Sequence, residues 1–571
     1  MITQPIVKPI TQPIVSGLFG AIGANPLKFH ALTYDPVTFE MLGVKTGVGD
    51  LTEANTAERY YADYENIWRS FGSAVPGWYG GRVVENLILQ SDDLTATWLN
   101  IGGTIVDSET FAVTASGNRP YQLALNAVAG ETFIASVLFA SDVDIDFVMR
   151  VSDGSNITSP LLSLVGGTAA KRYTFSGTWA NDYANAQWQV FRSMESKNAT
   201  ITIKNMQFEN STGRTDTTTP SEYIPTTTAP VQKVFANENG NTVTSNVVTE
   251  AAGPLLADMP WLVGQSEQTC STLYSVDFTD AAWVKVNGTA AKDAVGLRSD
   301  ANGASTLTAT SANATFIQTI TAASGEHATR FFVRRKTGTG AIELTVDGGS
   351  TWTAITIDAD YDDYQIDQAA VTNPGFGLRI VTSGDEVEVG SGQGHLTATK
   401  ESIRRASPIF TEGSTVTITA SDLSLDDANH SDTQGCYFLE FRNAGLNGVN
   451  TGGLIGLGAS GRLVYTDAAN RFRAHCGSAA TLGPVVTLAA DDTEYKIGMA
   501  YGDSNFRTNT DNSWGAEAAY DGSFNNTLGK INVLASEAMV GGPPCTILIR
   551  NLRRYNLPYA AAQAKIDELM A

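Results

Sequence analysis

Apolar and polar side chains alternate in short stretches along most of this chain. Examples are Thr132-Phe133-Ile134-Ala135-Ser136-Val137-Leu138-Phe139, Arg330-Phe331-Phe332-Val333, Thr415-Val416-Thr417-Ile418-Thr419, Arg462-Leu463-Val464-Tyr465 and Thr546-Ile547-Leu548-Ile549-Arg550. Successive side chains of a strand point to opposite faces, so a two-residue period builds pleated sheets with one face turned to a core. Gly, Asn and Asp punctuate the stretches, as turns require. The fold class that follows is all-β, with antiparallel β-sandwiches in series. A chain of 571 residues outgrows one core, because single cores stop growing beyond about 250–300 residues. A short C-terminal helix is expected from Tyr559 to Met570, since Pro558 suits a helix start and Ala, Gln, Lys and Glu suit its body. The segment Thr52 to Ser70 is read as containing one more helix.

Charge narrows the partners. Lys and Arg number 37 against 59 Asp and Glu, a net charge of −22. Such a chain repels phosphate backbones and anionic lipid, so nucleic acid and membrane are not expected partners. The opening apolar stretch carries Pro5, Pro9 and Pro13, which interrupt the helical core of an export signal, and none is read there. Thr3-Gln4-Pro5-Ile6-Val7 returns as Thr11-Gln12-Pro13-Ile14-Val15. Prolines so spaced hold an extended path. Pro5, Ile6, Val7, Pro13, Ile14 and Val15 are therefore expected to dock an N-terminal arm onto a partner or a sister chain. Four cysteines, Cys270, Cys436, Cys476 and Cys545, form no CxxC and read as buried, reduced thiols.

A weak internal repeat runs through the middle. Leu89-Gln90-Ser91-Asp92-Asp93-Leu94-Thr95 leads to Trp98, and Leu273-Tyr274-Ser275-Val276-Asp277-Phe278-Thr279 leads to Trp283. Trp98 and Trp283 are assigned to structure because they belong to the repeated motif. A Thr/Pro-rich stretch from Thr217 to Pro230 separates the copies and reads as a stiff boundary.

The run from Arg82 through Asn86, Leu87, Ser91 and Asp92 to Trp98 resembles the opening of jelly-roll, carbohydrate-binding-like modules in tailed-bacteriophage virion proteins. Gln207-Phe208-Glu209 followed by Pro220-Ser221-Glu222-Tyr223-Ile224-Pro225-Thr226 resembles their closing motif. The second copy keeps Ser275, Asp277, Phe278 and Trp283 but is read as lacking both the Asn-Leu start and that closing motif. Ile549-Arg550-Asn551-Leu552-Arg553-Arg554-Tyr555-Asn556 resembles the last strand of a concanavalin-like lectin sandwich in phage fibres. The expected division is a docking arm (1–26), an aromatic-rich region (27–85), a first jelly-roll-like sandwich (86–229), a linker with a second one (230–406), and a lectin-like sandwich with a terminal helix (407–571). The resemblance implies a virion structural protein, a tail or head fibre on the particle surface, made in the host cytoplasm. It implies a homotrimer anchored to other virion proteins and touching host-surface glycans, without enzymatic activity. A capsid decoration or tail-scaffold protein without a host ligand is one alternative, and a glycan depolymerase is another.

Candidate chemistry is sparse. Gly456-Leu457-Gly458-Ala459-Ser460-Gly461 matches GxGxxG, but Arg462 to Tyr465 continues as a strand rather than a helix, so a glycine hairpin is the reading. Five scattered histidines form no i, i+4 pair, and no HExxH, GxSxG or phosphate loop occurs. Asp142, Asp144 and Asp146, and likewise Asp358, Asp360 and Asp362, would share one strand face. Each run reads as a solvated acidic face, with Ca²⁺ the one cofactor it suits and glycosidic hydrolysis a further use of paired acids. Aromatic rings beside Asn and Asp suit sugar stacking. The candidates are Trp179, Tyr183, Trp188, Trp352, Tyr361, Trp514 and Tyr520.

Overall fold

The computed structural model describes residues 28–34, 41–46, 51–54, 57–63, 65–221, 223–235, 242–244, 247–249, 261–426, 431, 433–443, 452–458, 461–466, 471–476, 479–482, 494–520, 530–536 and 546–571. Antiparallel strands dominate, and the helices among the described residues are Lys400–Ile403 and Tyr559–Met570. The docking-arm residues Pro5, Ile6, Val7, Pro13, Ile14 and Val15 lie outside the described residues.

Two jelly-roll sandwiches occupy the middle of the chain. In the first, one sheet runs Lys171–Thr178, Thr132–Ser141, Ala199–Asn210, Thr110–Val113, Thr104–Ile105. The facing sheet runs Asn156–Thr158, Ile145–Ser152, Tyr183–Ser193, Arg119–Ala127, Leu99–Ile101, with Leu162–Leu164 also beside Ile145–Ser152. In the second, the sheets run Asp362–Val371, Gly325–Thr337, Glu386–Leu396, Ala304–Ala309, Gly288–Ala294 and Thr353–Ile355, Ile342–Thr345, Gly375–Ile380, Ala314–Thr319, Val284–Val286. Apart from the extra strand Leu162–Leu164, the two arrangements match strand for strand in chain order. The weak repeat is thus a duplicated sandwich.

The repeated motif closes each copy in the same way. Gln90 and Tyr274 both take left-handed backbone angles, φ 51° and 53°. That turn aims their carbonyls at the indoles, with Trp98 Nε1 donating to Gln90 O at 3.1 Å and Trp283 Nε1 to Tyr274 O at 3.0 Å. Ser91 Oγ accepts from Thr226 N at 2.8 Å, and Ser275 Oγ accepts from Thr411 N at 2.9 Å. The second copy therefore does have a closing residue, Thr411, and it lies beyond the 406/407 boundary read from sequence. The sequence signal was thin because Pro408-Ile409-Phe410-Thr411 shares only Ile and Thr with Tyr223-Ile224-Pro225-Thr226 in register.

The lectin-like sandwich is not confined to 407–571. Its final strand Ile547–Tyr555 pairs with Lys28–Tyr34 on one side and Gly435–Asn443 on the other. In the opposite sheet, Leu51–Glu53 pairs with Leu423–Asp426. Both ends of the chain thus build one base, and both jelly rolls leave it and return to it. Arg82–Asn86 and Val231–Phe235 pair where the first is attached. Gln268–Cys270 and Val416–Ile418 pair where the second is attached. The base core joins Tyr61, Phe71, Trp78 and Trp261 to Leu439, Phe441, Ile497 and Ile549.

The helix expected within Thr52 to Ser70 does not form. Those residues give the strands Leu51–Glu53, Arg59–Ala62 and Trp68–Phe71. Asp63 Oδ1 accepts from Glu65 N and Ile67 N, and Asn66 is left-handed at φ 63°. An Asx turn thus takes over backbone donors that a helix would use. The C-terminal helix forms as expected. Tyr559, Ala562, Ile566 and Met570 pack on Cys436, Phe438, Ala500 and Tyr555. Gly498 permits that approach, since a Cβ there would lie 2.6 Å from Ile566.

Candidate functional site

Most of the aromatics expected to stack on sugar are occupied. Trp188 is fully buried, edge-on to Trp98 at 5.9 Å and to Phe208 at 5.6 Å. Trp179 is buried against Phe133 at 4.8 Å, and Tyr520 is buried beside Tyr501. Tyr361 donates to Val295 O at 2.9 Å and lies under Arg334 in a cluster with Trp68 and Phe332. Trp514 is tied to the C-terminal helix through Asp567 Oδ1 at 2.7 Å, with Arg507 over its ring. Trp352 carries Arg379 over its ring at 4.4 Å. These rings serve packing, because burial of large aromatics outweighs what a solvent-facing position would gain. Tyr183 alone of the set is well exposed, at 47%.

The acidic runs also differ from the expected single-face arrangement. Asp142 and Asp144 stand in the bend after Thr132–Ser141, before the next strand starts at Ile145, while Asp358 and Asp360 precede the strand Asp362–Val371. Asp142 Oδ1 accepts from Thr200 N, Asp144 Oδ1 from Gly166 N and Asp146 Oδ1 from Ser163 Oγ. Asp358 Oδ1 accepts from Asp360 N, and Asp362 Oδ1 from Asp363 N. Each of these five carboxylates is engaged by its own donor. Among the described residues no group of three or more His, Cys, Asp or Glu side chains is placed to hold a metal.

The feature that sequence reasoning missed is the outer face of the first module's sheet Asn156–Thr158, Ile145–Ser152, Tyr183–Ser193, Arg119–Ala127, Leu99–Ile101. Strand pairing lays out its rows. Arg150 stands opposite Gln189, Gln189 opposite Tyr121, and Tyr121 opposite Leu99. Ser152, Gln187 and Leu123 form the row on one side, and Arg192 and Arg119, paired with Val148 and Ile101, flank the other. Leu99, Ile101 and Leu123 are exposed. At roughly 3.3 Å per residue, the strand from Tyr183 to Arg192 gives this face a length of about 30 Å.

Arg119, Arg150 and Arg192 are half-buried, and none has an ion pair among the described residues. Arg119 Nη1 donates to Gly117 O at 2.8 Å, and Arg150 donates to the Asn156 amide oxygen. The guanidinium pKa values of Arg119 and Arg150 are lowered, first by burial and then by the positive charge of Arg192. The Nε atoms of Arg119 and Arg150 and Oε1 of the buried Gln189 have no hydrogen-bond partner. Guanidinium and amide groups interleaved with exposed Leu and Ile can hold a ligand bearing both oxygens and C–H surface. These arginines come from three strands far apart in sequence, so nothing short of the pairing brings them together.

The corresponding face of the second module is built differently. Arg379 stands opposite Glu343 and is ion-paired to it, and its guanidinium covers Trp352. A separate cavity of 280 Å³ lies beside the helix Lys400–Ile403, lined by Ser266, Gln268, His395, Thr397 and Ser402.

No protein-family model matches this chain. No curated protein matches it either. Among solved structures, it aligns with the N-terminal CBM22-1–CBM22-2 tandem domain of Paenibacillus barcinonensis Xyn10C at 10% identity and a TM-score of 0.17, over 55% of this chain and 98% of that one. A likeness at that score carries no argument about ligand.

Proposed function

We propose that this chain is a non-enzymatic display protein of the virion-appendage kind its motifs resemble, and that it touches glycan through the open face of its first jelly roll. The observation that carries the reading is that face itself, where Tyr121, Gln187, Gln189 and three arginines lie interleaved with exposed Leu99, Ile101 and Leu123. In this reading residues 1–26 dock to neighbouring virion proteins, three copies assemble, and the second module and the base act as carrier. Multivalency then lets individually weak sites act together.

The test is retention of the full chain on immobilised surface polysaccharides, with polymer length measured before and after. Binding without shortening is expected, and Gln187→Ala with Tyr121→Ala should reduce retention at least tenfold. Shortened polymer, or no retention on any glycan, contradicts the proposal.

A further inference from the structure

The open face of the first module carries a concentration of positive charge that folding does not explain. The chain as a whole is strongly acidic, at −22, yet Arg119, Arg150 and Arg192 share one sheet face without a carboxylate partner among the described residues. Burial first, and then their mutual repulsion, lowers the pKa values of Arg119 and Arg150. Elsewhere in the same molecule, several half-buried and buried arginines are neutralised. Arg379 pairs with Glu343 at the equivalent face of the second module, and Arg330 pairs with Asp363 at 2.8 Å and Arg214 with Glu209 at 2.8 Å. The three guanidiniums of the first module are only half-buried on its open face, beside the half-buried Gln187 amide. Charged planar donors next to an amide match a ligand that offers anionic oxygens next to hydroxyl groups.

We infer that this face selects acidic glycans, sugars carrying carboxylate or sulfate, and that the three arginines set the selection. The inference rests on the glycan-contact reading above and adds the ligand's charge. Arg150, Arg192 and Arg119, on three strands of the face, meet the anionic group, while the Gln187 amide, held by Gln189 Nε2 at 2.6 Å, meets a neighbouring hydroxyl.

The test uses the full chain in affinity electrophoresis through polygalacturonate, dextran sulfate and neutral dextran, with double-stranded DNA as a non-sugar polyanion. Retardation by polygalacturonate, dextran sulfate or both, but not by neutral dextran or DNA, is expected, and it should weaken as salt rises. Comparison of the first two polymers separates carboxylate from sulfate recognition. R119Q, R150Q and R192Q should each weaken binding at least fivefold with Tm unchanged or raised, because each relieves repulsion. R150K should retain more binding than R150Q. R379Q should leave binding unchanged and lower Tm, because it breaks a pair. Retardation by neutral dextran alone overturns this inference while leaving the glycan reading standing. Retardation by no sugar polymer overturns both. Equal retardation by DNA, or arginine variants that bind as well as the parent, also overturns the inference.

Discussion

Single residues explain why the opening and closing motif is readable in the first module. Asn86 saturates its amide. Nδ2 donates to Met206 O at 3.0 Å and Ile224 O at 2.7 Å, and Oδ1 accepts from Ile88 N and Phe208 N. Glu209 similarly holds Arg214, Gln207 and Ser221 N. The residues that resemble a phage-module signature are thus a clasp that closes a sandwich, which is why they announce fold and not ligand. In the second module Lys285 does comparable work by other chemistry. Its Nζ lies within 3.2 Å of the carbonyl oxygens of Phe278, Thr279, Asp280 and Trp283, gathering the loop around one ammonium. Asn86→Ala removes four hydrogen bonds at a buried site and should cost about 3 kcal/mol or more. Amide exchange over Ala199–Asn210 should accelerate, while Glu386–Leu396 in the second module stays protected. Unchanged exchange over Ala199–Asn210 would contradict the clasp.

At the scale of strands, the buried end of Glu386–Leu396 gives the second module its own pH dependence. Burial, and then Arg330, push the His395 imidazole from its ordinary 6.5 down to about 3. The unfolded chain binds that proton more readily, so stability falls as pH drops below about 6.5, by about 1.4 kcal/mol per pH unit, until about pH 3. Carboxylates of the hairpins act later. Asp153 and Asp347 follow corresponding strands of the two modules. Burial works against their ionisation, but hydrogen bonds from Ser155, Ala180 and Asn181, and from Thr351, Gln368 and Thr345, outweigh it and carry both to about 2. Their contribution is present above about pH 4 and fades toward pH 2. A calorimetric comparison of the parent with His395→Gln from pH 7.5 to 4.5 should show a difference in Tm that is flat above about pH 6.5 and changes steadily below it. A constant difference would contradict a neutral, buried His395.

Strand existence was legible in the alternation, and strand partners were not. A period of two says that Thr546 to Arg550 is a strand, but nothing in it says that Lys28–Tyr34 lies alongside. The same gap hid the arginine face. Arg119, Arg150 and Arg192 each look like an ordinary outward polar position, and only register makes them neighbours. The buried aromatic candidates show the converse gap. Composition shows that a ring is near Asn or Asp, but Trp188 and Tyr520 face a core, and composition does not record facing.

In the whole molecule, the aromatic-rich segment near the start joins the parts. Trp68 meets Phe332 of the second module edge-on at 5.1 Å, and Tyr60 meets Phe410 at 5.1 Å. Arg69 donates to Thr212 O, and Glu65 accepts from Thr215 N, in the first module. One hairpin thus touches both jelly rolls while its own Tyr61 and Phe71 enter the base core. Aromatic residues suit this position because they cover large area at junctions. The central structural claim is that the two chain ends close one base on which two copies of a sandwich are grafted. Amide exchange on the full chain, on a chain lacking residues 1–26 and on a chain lacking residues 1–50 tests it most directly. The shorter deletion should change nothing in the sheets. The longer one should accelerate exchange over Leu552–Tyr555, the partners of Lys28–Ala31, while Thr132–Ser141 and Gly325–Thr337 keep their protection. Unaltered exchange over Leu552–Tyr555 after the longer deletion, or simultaneous loss in both jelly rolls, would contradict it.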